Sequence, residues 1–439
     1  MLYAIGVIVF AVGLLASVAL HEVGHMAPAK KFGVKVTQYM VGFGPTLWSR
    51  RKGDTEYGLK ALPLGGYIRM IGMVPPRVDG KRSRWPRRMA SAVEEFRNAS
   101  RSEVVTAEDE PRQFYRLTPG KKMIVMVGGP FMNFLIYVVL TVIVLSVVGL
   151  RHDDATTTVA SVTKCVVPAT STATTCPSGA VVAPAFTVLQ QGDVIKSVNG
   201  RPASSWDEVV KVIQASPNTP ISLGIERHGA VQTVSVTPVE NENYVAGTST
   251  IKKVGYIGVQ SQVHSYYKTE SLSGLPGQIG SQIRQGLDAL GNYPSKIHSL
   301  WQTVFEGKPR DAEGAIGVVG LGEIGGQIAS SHDFALRDKI AFLIGLLASV
   351  NLLLFFFNLL PLLPLDGGHV AGALVEAGRR GWARMRSRAG VSGAGPSREG
   401  IYVDTAQMLP IVYAIASVLI VMTLLVVYAD IVHPVHIGG

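Results

Sequence analysis

The sequence has little charge and almost no cysteine. Only 16% of its 439 residues are Asp, Glu, Lys or Arg, whereas soluble chains average about 25%. The mean hydropathy is accordingly positive, at +0.28. Low charge excludes a disordered chain or a coiled coil, and two cysteines exclude a disulfide-rich secreted module. A membrane protein with soluble parts remains.

Charge is missing altogether from four apolar runs, and each run has about the 20 residues that are needed to cross a bilayer. The first run lacks a basic leading segment and is followed by His-Glu instead of a small-residue cleavage site, so we expect a span there and not a signal peptide. The sequence therefore predicts four transmembrane helices. The runs are Met1–Leu20, Met123–Leu150, Ile340–Leu365 and Met408–Ala429.

The basic residues are distributed unevenly around these runs. Of the 41 Lys and Arg, 20 lie in 26–122 and 6 in 366–405, whereas the longer segment 151–339 holds 15. The positive-inside rule predicts that 26–122 and 366–405 are cytoplasmic, with both termini and 151–339 outside the plasma membrane. The basic loops favour anionic lipid headgroups over nucleic acid as a partner. A solvated loop explains much of 74–116 equally well.

His21, Glu22 and His25 form an H-E-x-x-H pattern at the end of the first run. On a helix, residues four apart share a face, so both imidazoles can reach one metal ion. Glu22 can serve as the general base toward a water molecule there. Polar side chains at a helix end in the headgroup layer are the alternative. The position of the motif at membrane depth favours metal binding over this alternative, because charged residues inside a bilayer cost free energy and are usually functional.

A third ligand is expected where the third apolar run ends. A catalytic zinc takes three protein ligands and keeps one position open, and Asp366 lies at the same predicted membrane depth as the two histidines. Pro361 and Pro364 precede it and should break the helix. A helix stop with Asp in a turn explains these prolines too, but it leaves Asn358 unexplained within an apolar run.

These motifs resemble the site-2 protease family of intramembrane zinc metalloproteases, over nearly the whole chain. The matching segments include His21-Glu22-x-x-His25, Gly42-Phe43-Gly44-Pro45, Leu64-Gly65-Gly66-Tyr67, Gly129-Pro130-x-x-Asn133, Asn358-x-x-Pro361 and Leu365-Asp366-Gly367. The arrangement is similar to that of actinobacterial members that cleave anti-sigma factors in regulated intramembrane proteolysis.

The resemblance implies a role for each matched residue. The Zn²⁺ ligands fall on His21, His25 and Asp366, and the general base falls on Glu22. Substrate-binding positions fall on Asn358 and Pro361 of the third span and on Gly42 and Gly44 of the membrane-associated loop. Single-pass membrane proteins are the implied substrates. An extended substrate could add as a strand to this loop, or the loop could merely seal the cavity.

The outer segment resembles a PDZ domain over 155–240. Asn199-Gly200 predicts a hairpin turn, and Ser205 is a helix N-cap candidate. Such a domain could capture a peptide, or it could act as a size filter, which we favour. Cys165 and Cys176 are a disulfide candidate, since an oxidising compartment permits the bond. A helical stretch over 281–305 is expected on the outer membrane surface or packed against the PDZ-like domain.

The predicted fold is a polytopic α-helical membrane protein with four transmembrane helices, a membrane-associated β-loop and an extracytoplasmic α+β PDZ-like domain. The leading function is an intramembrane zinc metalloendopeptidase. The alternative is a PDZ-containing adaptor with a structural metal site, for which His369 could supply a fourth ligand. The predicted segments are helix 1–25, β-loop 26–73, basic loop 74–122, helix 123–150, PDZ-like domain 155–240, Gly-rich and amphipathic extracytoplasmic linker 241–339, helix 340–369, basic loop 370–405 and helix 406–429.

Overall fold

The computed structural model describes residues 1–76, 85–101, 106–167, 176, 179–244, 251–311, 314–388 and 402–435. The chain divides into two compact units. The first unit comprises Met1–Gly149 and Thr269–Gly439, and the second comprises Leu150–Lys268. Residues 77–84 and 102–105 of the predicted basic loop 74–122, and residues 389–401 of the predicted basic loop 370–405, lie outside the described residues.

Helices dominate the first unit, together with one long hairpin. Among the described residues, four helical segments are long and apolar enough to cross a membrane: Leu2–Lys31, Pro119–Val148, Leu336–Leu359 and Thr405–Val432. These segments correspond to the four apolar runs. The helices are α1 (Leu2–Lys31), α2 (Arg87–Arg101), α3 (Pro119–Val142), α5 (Leu275–Gly291), α6 (Tyr293–Glu306), α7 (Val318–Ser330), α8 (Leu336–Leu359), α9 (Asp366–Arg388) and α10 (Leu409–Val432).

The backbones of α1 and α3 approach closely through glycine. A Cβ added to Gly24 would lie 2.2 Å from the carbonyl oxygen of Gly128, so neither helix tolerates a side chain at the crossing. Small residues allow this kind of close packing between membrane helices. Deeper in the bundle, the amide of Asn351 on α8 donates to the Ser17 hydroxyl of α1 at 3.0 Å. The two contacts hold α3 and α8 against α1 on either side of His21.

The third apolar run is interrupted before its acidic residue. Helix α8 ends at Leu359, and α9 begins at Asp366. Pro361 and Pro364 lie between them, and each removes a backbone donor that a continuous helix requires. The basic segment expected as a loop from 370 is thus helical as far as Arg388.

Helix α9 is fixed by an ion pair within the first unit. The Lys122 ammonium of α3 donates to Glu376 of α9 at 2.7 Å, and both side chains are almost fully buried. Arg380, one turn further along α9, pairs with the same carboxylate. Because breaking a buried pair leaves an uncompensated charge, this contact holds the middle of α9 against α3.

Strands β1 (Val36–Lys52) and β2 (Thr55–Met70) form the hairpin after α1. Residues 38–41 pair with both arms of β2, since Gln38 lies opposite Arg69 on one side and Glu56 on the other. The hairpin is therefore folded into four adjacent strand segments, in the order 66–70, 36–41, 55–60 and 46–52. In these pairings the segment 66–70 has one neighbour and forms an edge.

Helices α5 and α6 differ from the prediction for 281–305. Pro294 does separate two helices, but α5 packs along the second and third candidate spans. Its Ile279, Ile283 and Leu290 join a cluster with Tyr137 and Leu352. Part of the linker predicted to be extracytoplasmic thus lies beside the spans, because its apolar face is buried on them.

The second unit is an α+β module. Its main sheet has the order β10-β3-β4-β6-β7, with β5 paired to β4, and β8 and β9 form a separate two-stranded antiparallel sheet. The unit ends at Lys268, beyond residue 240 where the sequence predicted a linker to begin. Its elements are β3 (Leu150–Val162), β4 (Val194–Val198), β5 (Arg201–Pro202), α4 (Trp206–Ala215), β6 (Ile221–Arg227), β7 (Ala230–Val236), β8 (Val239–Tyr244), β9 (Ile251–Tyr256) and β10 (Val259–Lys268).

An ion pair joins Arg227, the last residue of β6, to the buried Asp193, which directly precedes β4. Both guanidinium nitrogens of Arg227 that face Asp193 donate to it at 2.7 Å, and the backbone N–H of Gln190 donates as well. Burial alone would raise the pKa of Asp193, but these hydrogen bonds outweigh it and hold the pKa below its ordinary value.

Asp193→Asn should therefore destabilise the second unit at neutral pH by roughly 3 kcal/mol, the scale of a broken buried pair. Since the folded-state pKa is lowered, the contribution is complete above the unfolded pKa of 3.8 and is lost as pH falls below it. Hydrogen exchange of strands β4 and β6 in the full chain measures the loss. Glu226→Gln, which breaks an exposed pair with Lys196, is the control and should cost under about 1 kcal/mol. Equal protection in both variants would contradict the prediction.

Candidate metal centre

Two histidines and one aspartate meet where α1 and α9 approach each other. His21 and His25 lie one turn apart on α1, and Asp366 is the first residue of α9. The Asp366 Oδ2 lies 3.4 Å from His21 Nε2 and 3.3 Å from His25 Nε2. The two Nε2 atoms are 3.2 Å apart. The structure thus brings together the three candidate ligands that the sequence indicated.

The spacing of these three atoms suits a zinc ion. A tetrahedral ion with bonds of about 2.0–2.1 Å requires ligand atoms roughly 3.3 Å apart. The observed separations of 3.2–3.4 Å form a nearly equilateral triangle with that edge. Two imidazoles and a carboxylate are also a ligand set that zinc accepts. The residues therefore fit the metal and leave the fourth position open.

The His25 ring is oriented by a hydrogen bond at Nδ1, the nitrogen that does not face the triangle. Its Nδ1 lies 2.8 Å from the carbonyl oxygen of Val125 on α3. A carbonyl only accepts, so Nδ1 carries the proton, and the lone pair of Nε2 faces the triangle. A glycine on the same helix makes room: a Cβ on Gly129 would lie 2.1 Å from His25 Nε2 and 2.7 Å from His21 Nε2. Sequence reasoning gave Gly129 no role beyond its motif.

The Glu22 side chain extends from α1 toward the edge segment 66–70. A Cβ on Gly66 would lie 3.2 Å from Glu22 Cγ, and the backbone N–H of Ile68 faces the Glu22 carboxylate. The hairpin is attached to α1 nearby, because the Tyr39 hydroxyl donates to the carbonyl of Ala19 at 2.9 Å. Glu22 is thus held beside the histidines by backbone that would otherwise be a free strand edge.

The four predicted substrate-binding residues lie outside the triangle. Asn358 is half-buried in the last turn of α8, and its side chain makes no hydrogen bond within the described part of the chain. Pro361 is exposed in the break between α8 and α9. Gly42 and Gly44 both have positive φ in the irregular part of β1, and a Cβ on Gly42 would lie 2.7 Å from the carbonyl oxygen of Leu62. These glycines permit the fold of the hairpin.

His369 does not join the cluster. In the described part of the chain, the group whose ligand atoms lie within 4.8 Å of one another consists of His21, His25 and Asp366. A structural zinc would need four protein ligands, so the open position favours a catalytic site. The cysteines lie in the second unit, where the sulfur atoms of Cys165 and Cys176 are bonded to each other.

Comparisons with known proteins agree with this site. The model of peptidase family M50 matches residues 9–395. The zinc metalloprotease Rip1 of Mycobacterium tuberculosis (strain ATCC 25618 / H37Rv) is 34% identical over 455 residues, covering 100% of both chains. Rip1 of Mycolicibacterium smegmatis is 32% identical with the same coverage. The zinc metalloprotease RasP of Geobacillus kaustophilus is 28% identical over 85% of this chain and 90% of its own.

The match extends across both candidate ligand motifs and confirms the resemblance that the sequence indicated. It also favours the enzyme over the non-enzymatic adaptor, since relatives named zinc metalloproteases match this chain over its whole length. The chain therefore belongs to peptidase family M50, the site-2 protease family, as an intramembrane zinc metalloendopeptidase.

Proposed function

We propose that His21, His25 and Asp366 hold the catalytic Zn²⁺ and that Glu22 is the general base. The observation that carries this assignment is the triangle of ligand atoms with edges of 3.2–3.4 Å, next to a carboxylate held by backbone. When bound, zinc supplies Lewis acidity, which makes a water molecule nucleophilic near neutral pH. Glu22 accepts the proton of that water and passes it to the departing amine.

The substrate must present an extended backbone, because a helix conceals its carbonyl groups. The segment 66–70 is an edge of the folded hairpin, and the Ile68 N–H at this edge already faces Glu22. A substrate strand that pairs with this edge would bring its backbone to the general base. Asn358, at the end of α8, is proposed to donate a hydrogen bond to the scissile carbonyl, since its amide has no partner among the described residues. Pro361 exposes the neighbouring backbone, and Gly42 and Gly44 shape the hairpin.

The proposed orientation places the triangle near the cytoplasmic face of the plasma membrane. The segments 26–122 and 366–405 carry most of the clustered basic residues and are cytoplasmic, with both termini and the second unit outside. Helix α2 bears exposed Met89 and Phe96 among basic residues. Anionic lipid headgroups are its proposed partner, and nucleic acid is not.

The second unit is proposed to be a PDZ-like filter that keeps proteins with large outer domains from the site. Its sheet, its capped helix α4 and its hairpin turn at Asn199-Gly200 support a PDZ-like module. Single-pass membrane proteins whose outer domains have been removed are the expected substrates. Anti-sigma factors are the proposed class among them.

The substrates can be identified in cells that carry wild type or Glu22→Gln. We expect truncated single-pass membrane proteins to accumulate in the variant only, since the general base is missing while binding is retained. Mass spectrometry of membrane fragments from both strains under envelope stress measures the difference. Anti-sigma factors among the accumulated fragments support the proposed class. If fragments of other single-pass proteins accumulate instead, those proteins are the substrates and anti-sigma factors are not. Identical fragment profiles in both strains would contradict the proposed role of Glu22.

A further inference from the structure

The amide of Asn133 on α3 contacts His21 with the wrong polarity for a metal site. Asn133 is 1% exposed, and its Nδ2 lies 3.1 Å from His21 Nδ1. An NH₂ group only donates, so this arrangement requires Nδ1 to be the acceptor and leaves the imidazole proton on Nε2. Yet His21 Nε2 is the nitrogen that faces Asp366 and His25. A protonated Nε2 cannot bind a metal ion.

The other end of the same amide is unsatisfied. Asn133 Oδ1 is buried and has no hydrogen-bond partner among the described residues. The nitrogen and oxygen of an asparagine amide are nearly the same size, and their assignment follows from the hydrogen bonds around them. Exchanging the two atoms gives the oxygen a donor, returns the proton of His21 to Nδ1, and moves the NH₂ group to the position that has no partner among the described residues. The lone pair of Nε2 then faces the triangle.

We infer that Asn133 is a positioning residue for the metal centre, whose side-chain oxygen accepts the Nδ1–H of His21. It does for His21 what the Val125 carbonyl does for His25. Val125, Gly129 and Asn133 are spaced four residues apart and form one stripe of α3 that faces both histidines. The inference rests on the proposed ligand set and adds to it the group that selects the tautomer of the first ligand.

Loss of such an acceptor weakens metal binding without removing a ligand. Partners of this kind are typically worth 10–100-fold in metal affinity. Asn133→Leu keeps the size of the side chain and should lower zinc affinity by about that factor. Asn133→Asp keeps an acceptor oxygen and should restore affinity to within about threefold of wild type, as carboxylates commonly occupy this position behind a zinc-bound histidine.

The test measures zinc affinity of the purified full chain in detergent by competition with a chelator. Tyr137→Phe is the matched control, since Tyr137 lies one turn further along α3, is equally buried, and bonds Gln282 away from the triangle. We expect its affinity to equal that of wild type. Cobalt-substituted protein gives a second readout, because an altered His21 should change the visible spectrum of Asn133→Leu and leave that of Tyr137→Phe unchanged.

Three results would overturn the inference. The first is that Asn133→Leu binds zinc as tightly as wild type does. The second is that Asn133→Asp binds zinc as weakly as Asn133→Leu does. If Asn133→Leu does not fold, Asn133→Ala is measured in its place, and we expect the same loss of zinc affinity. The third result is that Asn133→Ala binds zinc as tightly as wild type does. His21→Ala separates this inference from the proposed function. Wild-type affinity in His21→Ala refutes the ligand set itself, whereas lost affinity there with intact affinity in Asn133→Leu refutes only the role of Asn133.

Discussion

Conversion of Glu22 to glutamine is expected to lower the rate of peptide-bond hydrolysis by about 10²–10⁴-fold, the usual contribution of a general base. The amide has the size of the carboxylate but cannot take a proton from water. Its packing against the backbone at Gly66 is unchanged, so the side chain should stay in place. Zinc content should therefore equal that of wild type, because Glu22 is not among the candidate ligands.

The measurement is cleavage of a labelled transmembrane peptide by the purified protein, with zinc determined by elemental analysis of the same sample. Glu323→Gln is the matched control, since this half-buried glutamate lies on α7 and bonds Gln327. Its activity should be unchanged. Activity retained in Glu22→Gln with zinc bound would remove Glu22 from the general-base role, and loss of zinc would make it part of the ligand set.

The second large effect is expected from Gly129→Ala. The added Cβ would lie 2.1 Å from His25 Nε2 and 2.7 Å from His21 Nε2, well inside contact distance. Either the imidazoles or the whole of α3 must move, and a displacement of about 1 Å in a catalytic site can cost 10²-fold in rate. Zinc affinity should fall as well, since both displaced atoms are candidate ligands.

Gly120→Ala is the control for this substitution. Gly120 lies on the same helix, and a Cβ there meets nothing within 4 Å. Its activity and zinc affinity should match wild type, and alanine should slightly favour the helix. Thermal unfolding of both variants distinguishes a displaced ligand from a lost fold. Full activity and zinc binding in Gly129→Ala would show that α3 does not lie against the histidines as described.

The three candidate ligands could be predicted because their sequence signals are local. The spacing of His21 and His25 alone places them on one helix face. The prolines before Asp366 predict that the helix ends there, at the end of an apolar run. The four spans follow from apolar length in the same way. In each case, neighbouring residues carry the physical cause, so no knowledge of distant contacts was required.

The remaining features depend on contacts between distant segments. Residues 38–41 pair on both sides, and strand propensity does not reveal how many partners a strand has. The amphipathic pattern of α5 shows that one face is buried, but it does not say that Tyr137 and Leu352 cover that face. The same holds for Gly129 and Asn133, whose roles appear only once α3 lies against α1. Asn133 lies 112 residues from His21 along the chain, so neither it nor Gly129 carries a local sign of a metal.

The second unit begins and ends at adjacent positions. Leu150 lies opposite Lys268 where β3 pairs with β10, so the chain leaves and rejoins the first unit through neighbouring strand ends. All three candidate ligands, the general base and the hairpin belong to the first unit. A short turn could therefore bridge the two ends of the module between 150 and 268. The module can accordingly be replaced or reshaped in evolution without a change in the residues of the metal centre.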